Sequence, residues 1–244
     1  MHRRHRIIAV AASLATTVVG TTLTAGAAVA ADSAKAVYKA ALKAAGSENV
    51  HYVSTASEQG ISLEVVGDTG KTSGSQVLQV QSGSTTEELA VILIGSTGYI
   101  RGNESALEKV LGLTTAQSNT YTDKWLSFPT SNTALAELVS GLRNSDVASE
   151  LAMTGPYTLG GTKTIAGRIT QAIKGTASTS SGKKVPIVLY VDMGATPRPV
   201  EEVTNPNAKS SSITGTVTFS KWGETTHPTA PTKSIPLIPL LPAG

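Results

Sequence analysis

The residues able to do chemistry are few in this chain, and their spacing does not suit it. Only His51 and His227 fall outside the first thirty residues, the one opening an apolar-polar alternation and the other beside Pro228. Neither stands in a ligand spacing such as HExxH, which sets two imidazoles on one helical face, so no metal site is expected. No G-x-S-x-G elbow is present to expose a nucleophilic serine, and Gly95-Ser96-Thr97-Gly98 reads as a hairpin turn. GxGxxG and GxxxxGK[ST] are missing too, leaving no loop to cradle phosphates and no cofactor to predict. The paired acids Glu87-Glu88 and Glu201-Glu202 are adjacent on strand-like segments. Adjacent strand positions send side chains to opposite faces, whereas acid-base catalysis needs two carboxylates converging on one site. Both pairs are therefore expected to be solvated edge residues, and the protein is not expected to be an enzyme.

What remains must bind rather than transform, and the chain's ends say where. His2-Arg3-Arg4-His5-Arg6 precedes an apolar run, Ile7 to Val19, and Ala28-Val29-Ala30 supplies a small-x-small cleavage pattern. This is the layout of a secretory signal cut after Ala30 or Ala31. Threonines and glycines between Thr16 and Thr24 interrupt the run too early for a membrane span. Arg6 occupies a position where twin-arginine export favours an apolar residue, so the general secretory route is expected. The precursor carries 20 Lys plus Arg against 17 Asp plus Glu, and three of the arginines lie before Ile7. The mature chain is then neutral, without the basic footprint of a nucleic-acid binder. It has no cysteine. At this size a secreted domain can manage without disulfides, and no lipobox cysteine is available to anchor it. A soluble extracytoplasmic protein is predicted.

The elements that would position a binding site are mostly strands. Ser33 is placed to cap a helix through about Ala45, ending at Gly46. Strands are predicted over His51–Glu58, Ile61–Val65, Ser75–Gln81, Glu87–Ile94 and Tyr99–Arg101, joined as sequential hairpins. Asn103 should cap a helix ending at Gly112, with another turn or two over Thr114–Tyr121, and Lys124–Pro129 is extended. Further helices are expected from Asn132, with Leu135, Leu138, Val139 and Leu142 on one face, and from Ser145 or Asp146 to about Met153. Strands return over Thr164–Thr176, Lys184–Met193, Pro199–Thr204 and Ile213–Lys221, with glycines 155, 160, 161 and 167 allowing bulges. Residues 226–244 form a Pro-rich extended tail after one domain over residues 32–225. This is α+β: a strongly curved antiparallel sheet, a half-barrel, with helices packed on its concave side. Leu89, Val91 and Leu93 alternate with the equally apolar Ala90, Ile92 and Ile94. Such a strand is either covered on both faces or faces a hydrophobic ligand on one. Trp125 and Trp222 are read as packing residues.

The ordered set Gly98-Tyr99-Ile100-Arg101-Gly102, Lys124-Trp125-Leu126 with Pro129, Ile165-Ala166-Gly167-Arg168-Ile169-Thr170, Val191-Asp192 and Phe219-Ser220-Lys221-Trp222-Gly223 resembles the LppX/LprG-type lipoproteins of actinobacteria. Their fold is similar to the LolA/LolB carriers. The resemblance implies an incomplete barrel closed by helices around an apolar cavity that holds an acylated lipid or glycolipid in the cell envelope, with transient membrane contact. Ile213–Gly223 would be its closing strand, with Trp222 sealing the end. Burial at about 0.8 kcal/mol per methylene would hold a long chain tightly. By period two, Ile61, Leu63, Val65, Leu89, Val91, Leu93, Ile165, Ile169 and Ile173 are the expected apolar concave face. The alternative is a solid-cored envelope module that binds a protein partner or senses envelope state.

Overall fold

A computed structural model describes residues 25–133, 135–178, 182, 184–208 and 214–241. The basic segment and apolar run of the export signal lie outside these residues, as does Ile213. Helix α1, Ala25–Ser47, begins well before Ser33, so Ser33 is an interior helical residue and not the predicted cap. At its other end Ser47 Oγ donates back to the Lys43 carbonyl at 2.8 Å. No helix among the described residues is long and apolar enough to cross a membrane.

Strands β1 (His51–Glu58), β2 (Ile61–Asp68), β3 (Ser73–Ser82), β4 (Thr85–Ile94) and β5 (Thr97–Gly102) follow as consecutive hairpins, as the alternation predicts. Asn103 caps α2 (Glu104–Leu111): its Oδ1 accepts from Ala106 N at 2.9 Å, and Gly112 closes the helix at φ +71°. The same Asn103 side chain donates from Nδ2 to the Thr86 carbonyl at 2.9 Å, which ties helix to sheet. Then come α3 (Thr115–Tyr121) and β6 (Leu126–Pro129). The helix expected from Asn132 reduces to a single 3₁₀ turn, Ala136–Val139. Gly141, at φ +80°, turns the chain away, yet Leu135, Leu138, Val139 and Leu142 are all buried as their spacing requires. Helix α4 is Asn144–Glu150, its first turn held by Asp146 Oδ2 accepting from Arg143 N at 3.1 Å.

The predicted strand Thr164–Thr176 is two strands. Ala166 and Gly167, at φ +47° and +77°, form a turn between β7 (Thr154–Ile165) and β8 (Arg168–Ser178). β7 shows no clean alternation because its pairing with β8 shifts twice, between Thr154 and Thr158 and between Leu159 and Thr162. The glycines there permit those bulges. β9 (Lys184–Asp192), β10 (Arg198–Thr204) and β11 (Thr214–Ser220) complete the antiparallel run. The Pro-rich tail returns to the sheet: β12 (Ile235–Pro236) pairs parallel to β6, and Leu237 is fully buried.

All twelve strands form one sheet in the order β12-β6-β5-β4-β3-β2-β1-β11-β10-β9-β8-β7. β12 and β7 are its two edges, so the curved sheet stays unclosed. β11 therefore does not close the barrel. It lies in the middle, pairing with β1 on one side and β10 on the other, and joins the N-terminal hairpins to the C-terminal ones. Trp222 seals no opening; it is half-buried, packs against Phe219 at 6.0 Å between centroids, and donates Nε1–H to the Pro199 carbonyl at 3.0 Å.

Helices cover the inner face in two groups, and each makes a core. α1 packs over β7, β9 and β10 with α4 against it, enclosing Tyr38, Ala41, Val147, Leu151, Ile173, Leu189 and Phe219. α2 and the 3₁₀ turn pack on β4 and β5, enclosing Leu89, Val91, Leu93, Ile100, Leu107, Leu126 and Phe128. β1–β3 run between the two.

Candidate functional site

The inner face is most easily followed across the strands. One cross-strand row runs Ile173, Leu189, Glu202, Val217, Ser54, Val65, Leu78, Leu89, each residue opposite the next. The next row runs Ile187, Thr204, Gly215, Ala56, Leu63, Val80. At the two ends of the first row, Ile173 and Leu89 are buried beneath helices. In the middle, over β1–β3, Ala56, Leu63, Val65, Leu78 and Val80 are only half-buried, and Ile61 beyond them is 38% exposed. The outward-facing Thr55, Glu64, Gln79 and Glu88 are exposed and polar. An apolar shelf thus lies on the inner face between the two cores.

The inner end of that shelf is fixed by polar contacts. Tyr52 donates Oη–H to Gln76 Oε1 at 2.7 Å, and Gln76 Nε2 donates to the Leu138 carbonyl at 3.1 Å. Tyr52 can lie across the sheet because its neighbour is Gly67, where a Cβ would stand 2.5 Å from the ring. Nearby, Thr69 Oγ1 donates to Asn144 Oδ1 at 2.9 Å, holding the start of α4 to the strands. Burial drives the Tyr52 phenol far above its ordinary value, with Glu150 the next cause.

Beside Tyr52 the packing opens into a cavity of about 60 Å³ lined by Tyr52, Ser54, Val147, Glu150, Leu151, Glu202, Val217 and Phe219. Two carboxylates face it from opposite walls. Glu202 comes from β10 and is 8% exposed; its Oε2 has no hydrogen-bond partner. Burial pushes the Glu202 carboxyl up to about 7, helped by the nearby Glu150. Glu150, on α4, stands at the mouth, where its residue stays exposed, and accepts a hydrogen bond from Ser140 Oγ at 3.0 Å. Its carboxyl is raised by the protein packed around it, an effect opposed by Ser140 and limited by its access to solvent. A larger hollow of about 430 Å³ lies at the far strand ends. Most of its lining side chains, among them Thr55, Ser57, Glu64, Gln79 and Thr216, alternate with the inner row and belong to the outer face. It contains no buried charge, so the small cavity is the chemically distinctive one.

Two solved structures share this arrangement of curved sheet and helices. LprF from Mycobacterium bovis superposes with a TM-score of 0.52 at 15% identity, over 81% of this chain and 97% of that one. The Mycobacterium tuberculosis lipoprotein LppX gives 0.50 at 17% identity, over 80% and 98%. The fold is that of the LppX and LprF lipoproteins. The resemblance carried by the sequence motifs is therefore a resemblance of fold along essentially the whole described chain. No protein-family model and no curated protein matches the sequence.

Within this LppX-like fold the nine expected apolar residues divide. Ile61, Leu63 and Val65 line the shelf. Leu89, Val91 and Leu93 face inward but are fully buried beneath α2 and the 3₁₀ turn, and Ile173 is buried in the other core. Ile165 and Ile169 do not share a face, because the turn between them pairs Ile165 with Arg168 and Ile169 with Thr164. Ile169 is 70% exposed at the hairpin tip. Trp125 lies under the Arg101 guanidinium, 5.1 Å from its ring centre, away from the shelf.

The acid pairs also need correction. Glu87 is no free edge residue: it pairs with Lys109 at 2.8 Å. Glu201 faces outward to Lys163 at 3.1 Å, and Glu202 is buried inside. Alternation from the inward Pro199, opposite Val191, would turn Glu202 outward; a bulge between Pro199 and Glu201 resets the register, so that Glu202 stands opposite Leu189 and is buried. Sequence carried no signal for that bulge. Among the described residues no group of three metal-binding side chains comes together.

Proposed function

We propose that the mature protein is an extracytoplasmic lipid-binding protein that holds an acyl chain along the shelf over β1–β3, between its two cores. The observation that carries this reading is the partly exposed inner-face strip Ala56, Leu63, Val65, Leu78 and Val80, flanked on both sides by helix-covered cores. A carrier needs a chain to enter and leave, so an apolar face left partly open suits it better than a sealed cavity. Ile61, Leu63 and Val65 contact the chain, while Leu89, Val91, Leu93 and Ile173 support the sheet beneath the helices. Delivery and collection involve transient contact with a membrane or an envelope protein; nucleic acid, metal and cofactor play no part. Residues 1–30 act as the export signal, and the protein works without catalysis.

The test is titration of the mature protein with an uncharged pyrene-labelled fatty alcohol. Saturable binding that Leu63→Asp weakens by about tenfold or more is expected, from the 1.5–3 kcal/mol of a buried leucine contact. No saturable binding at all would refute the reading.

One observation favours a second reading. The enclosed inner volume, about 60 Å³, falls well short of the roughly 300–1,000 Å³ of typical ligand cavities. A module with a solid core would use the same shelf to dock an apolar segment of an envelope protein. Native mass spectrometry of protein purified from its own host separates the two: lipid adducts support the carrier, and a clean apo mass supports the module.

A further inference from the structure

The cavity at the inner end of the shelf contains an arrangement that packing alone does not explain. Glu202 is more than nine-tenths buried, lines the cavity, and has a carboxylate oxygen with no hydrogen-bond donor. Such an orphan acceptor costs about 1–3 kcal/mol, more when charged. A second carboxylate, Glu150, faces the same space from α4. The remaining lining is Tyr52, Ser54 and four apolar residues, with no lysine, arginine or histidine. The ionisable groups acting on the pair, or on Tyr52 beside it, are Tyr38 from α1, Asp146 from α4 and Asp68 from β2, all neutral or negative, and Asp68 is itself paired with His51 of β1 at 2.9 Å. Of the nearby cations, Arg198 pairs through Nη2 with Glu48 at 2.8 Å while its buried Nε has no acceptor, and it lines no part of the cavity; Lys163 pairs with Glu201 on the outer face.

We propose that this cavity binds the ammonium head of a cationic amphiphile whose chain lies along the shelf. The inference rests on the lipid-binding reading and sharpens it to one class of ligand. The shelf runs up to the cavity wall: Ser54 and Val217 line the cavity, Val65 stands opposite Ser54, and Ala56 follows Ser54 on the same face. An ammonium head would donate to the free oxygen of Glu202 and balance the charge of the pair in a site shielded from water. The apolar walls Val147, Leu151 and Phe219 suit a head attached to carbon better than a hydrated metal ion, which would need six or more oxygen ligands. A primary amine fits the small volume; a bulky headgroup does not. A bound cation also favours the ionised form of Glu202, so binding releases protons where that carboxyl is partly protonated.

The experiment is competition against the pyrene-labelled fatty alcohol at neutral pH, below micelle-forming concentrations. The competitors are dodecylammonium, dodecanol and dodecanoate. Dodecylammonium should compete at least tenfold better than dodecanol, and dodecanoate worse than either. Glu202→Gln should abolish the amine's advantage and change dodecanol's affinity far less. Glu201→Gln, a control for general attraction of cations to the surface, should leave the advantage intact. Calorimetry in buffers of different ionisation enthalpy should detect proton release on amine binding. Should Glu202→Gln fail to fold, Glu150→Gln serves in its place, with a smaller reduction expected. Equal competition by the three, or an advantage that survives Glu202→Gln, overturns the cation site and leaves the lipid-binding reading standing. Absence of probe binding to the unaltered protein overturns both.

Discussion

The core beneath α2 and the core beneath α1 and α4 rest on the same sheet but are filled differently. Around α2, Leu89, Val91, Leu93, Ile100, Leu107, Leu126 and Phe128 are all within 2% of complete burial, and the unpartnered polar atoms buried nearby, Glu108 Oε1 on α2 and Ser118 Oγ on α3, line neither of the cavities described above. Around α1 and α4, the packing includes Tyr38 and Tyr52, admits Glu202, and leaves a cavity between β10 and α4. Tyr38 belongs to the scaffold there, donating to the Leu151 carbonyl at 3.1 Å and accepting from Met153 N, and burial raises its phenol to about 12. A solid apolar core stabilises a sheet at the least complexity. Retaining a buried acid in its counterpart lowers stability, which points to work done on that side of the molecule.

The contrast can be broken first on the solid side. Phe128→Ala removes a side chain lying over Gly98 in the α2 core, and denaturant unfolding should show a loss of about 3–5 kcal/mol. A loss under 1 kcal/mol would mean that this core is looser than it looks.

The next test belongs to the other core. Glu202 has a folded-state pKa of about 7 against an ordinary 4.5, so between those values the native protein holds a proton that the unfolded chain has released. The Glu202 contribution to stability is then full below about pH 4.5 and is lost as pH rises to about 7, roughly 3 kcal/mol in all. Glu202→Gln should remove that decline, measured as melting temperature against pH, and make the variant more stable than the parent at pH 8.

Tyr52→Phe is smaller. It leaves the buried Gln76 Oε1 without its donor, although Gln76 Nε2 keeps its bond to Leu138, and should cost about 1–2 kcal/mol. Smallest is Ile169→Ser at the exposed hairpin tip, expected within about 0.5 kcal/mol of the parent by thermal unfolding.

Much of the α2 half was legible in sequence because its signals are local. Asn103 and Gly112 bracket α2, and short turns such as Gln59-Gly60 and Gly95-Ser96 punctuate the hairpins β1 to β5. Leu135, Leu138, Val139 and Leu142 indicated burial correctly even though the helix they suggested is only a 3₁₀ turn. The other half hid its structure in non-local features. β7 is obscured by two register shifts, the Ala166-Gly167 turn separates isoleucines that look like one stripe, and the bulge before Glu201 turns Glu202 inward. β12 was concealed because a two-residue parallel pairing leaves no periodicity. The candidate site fell on both sides of this divide: Leu63 and Val65 could be named from alternation, whereas the carboxylates could not.

The central claim is that a lipid chain lies on the shelf between the cores, and paired binding isotherms of the pyrene-labelled fatty alcohol test it most directly. The parent protein, Leu63→Asp on the shelf and Ile169→Asp at the hairpin tip should be titrated side by side. Saturable binding that Leu63→Asp weakens at least tenfold and Ile169→Asp leaves unchanged is expected. Equal affinities in all three proteins would contradict it.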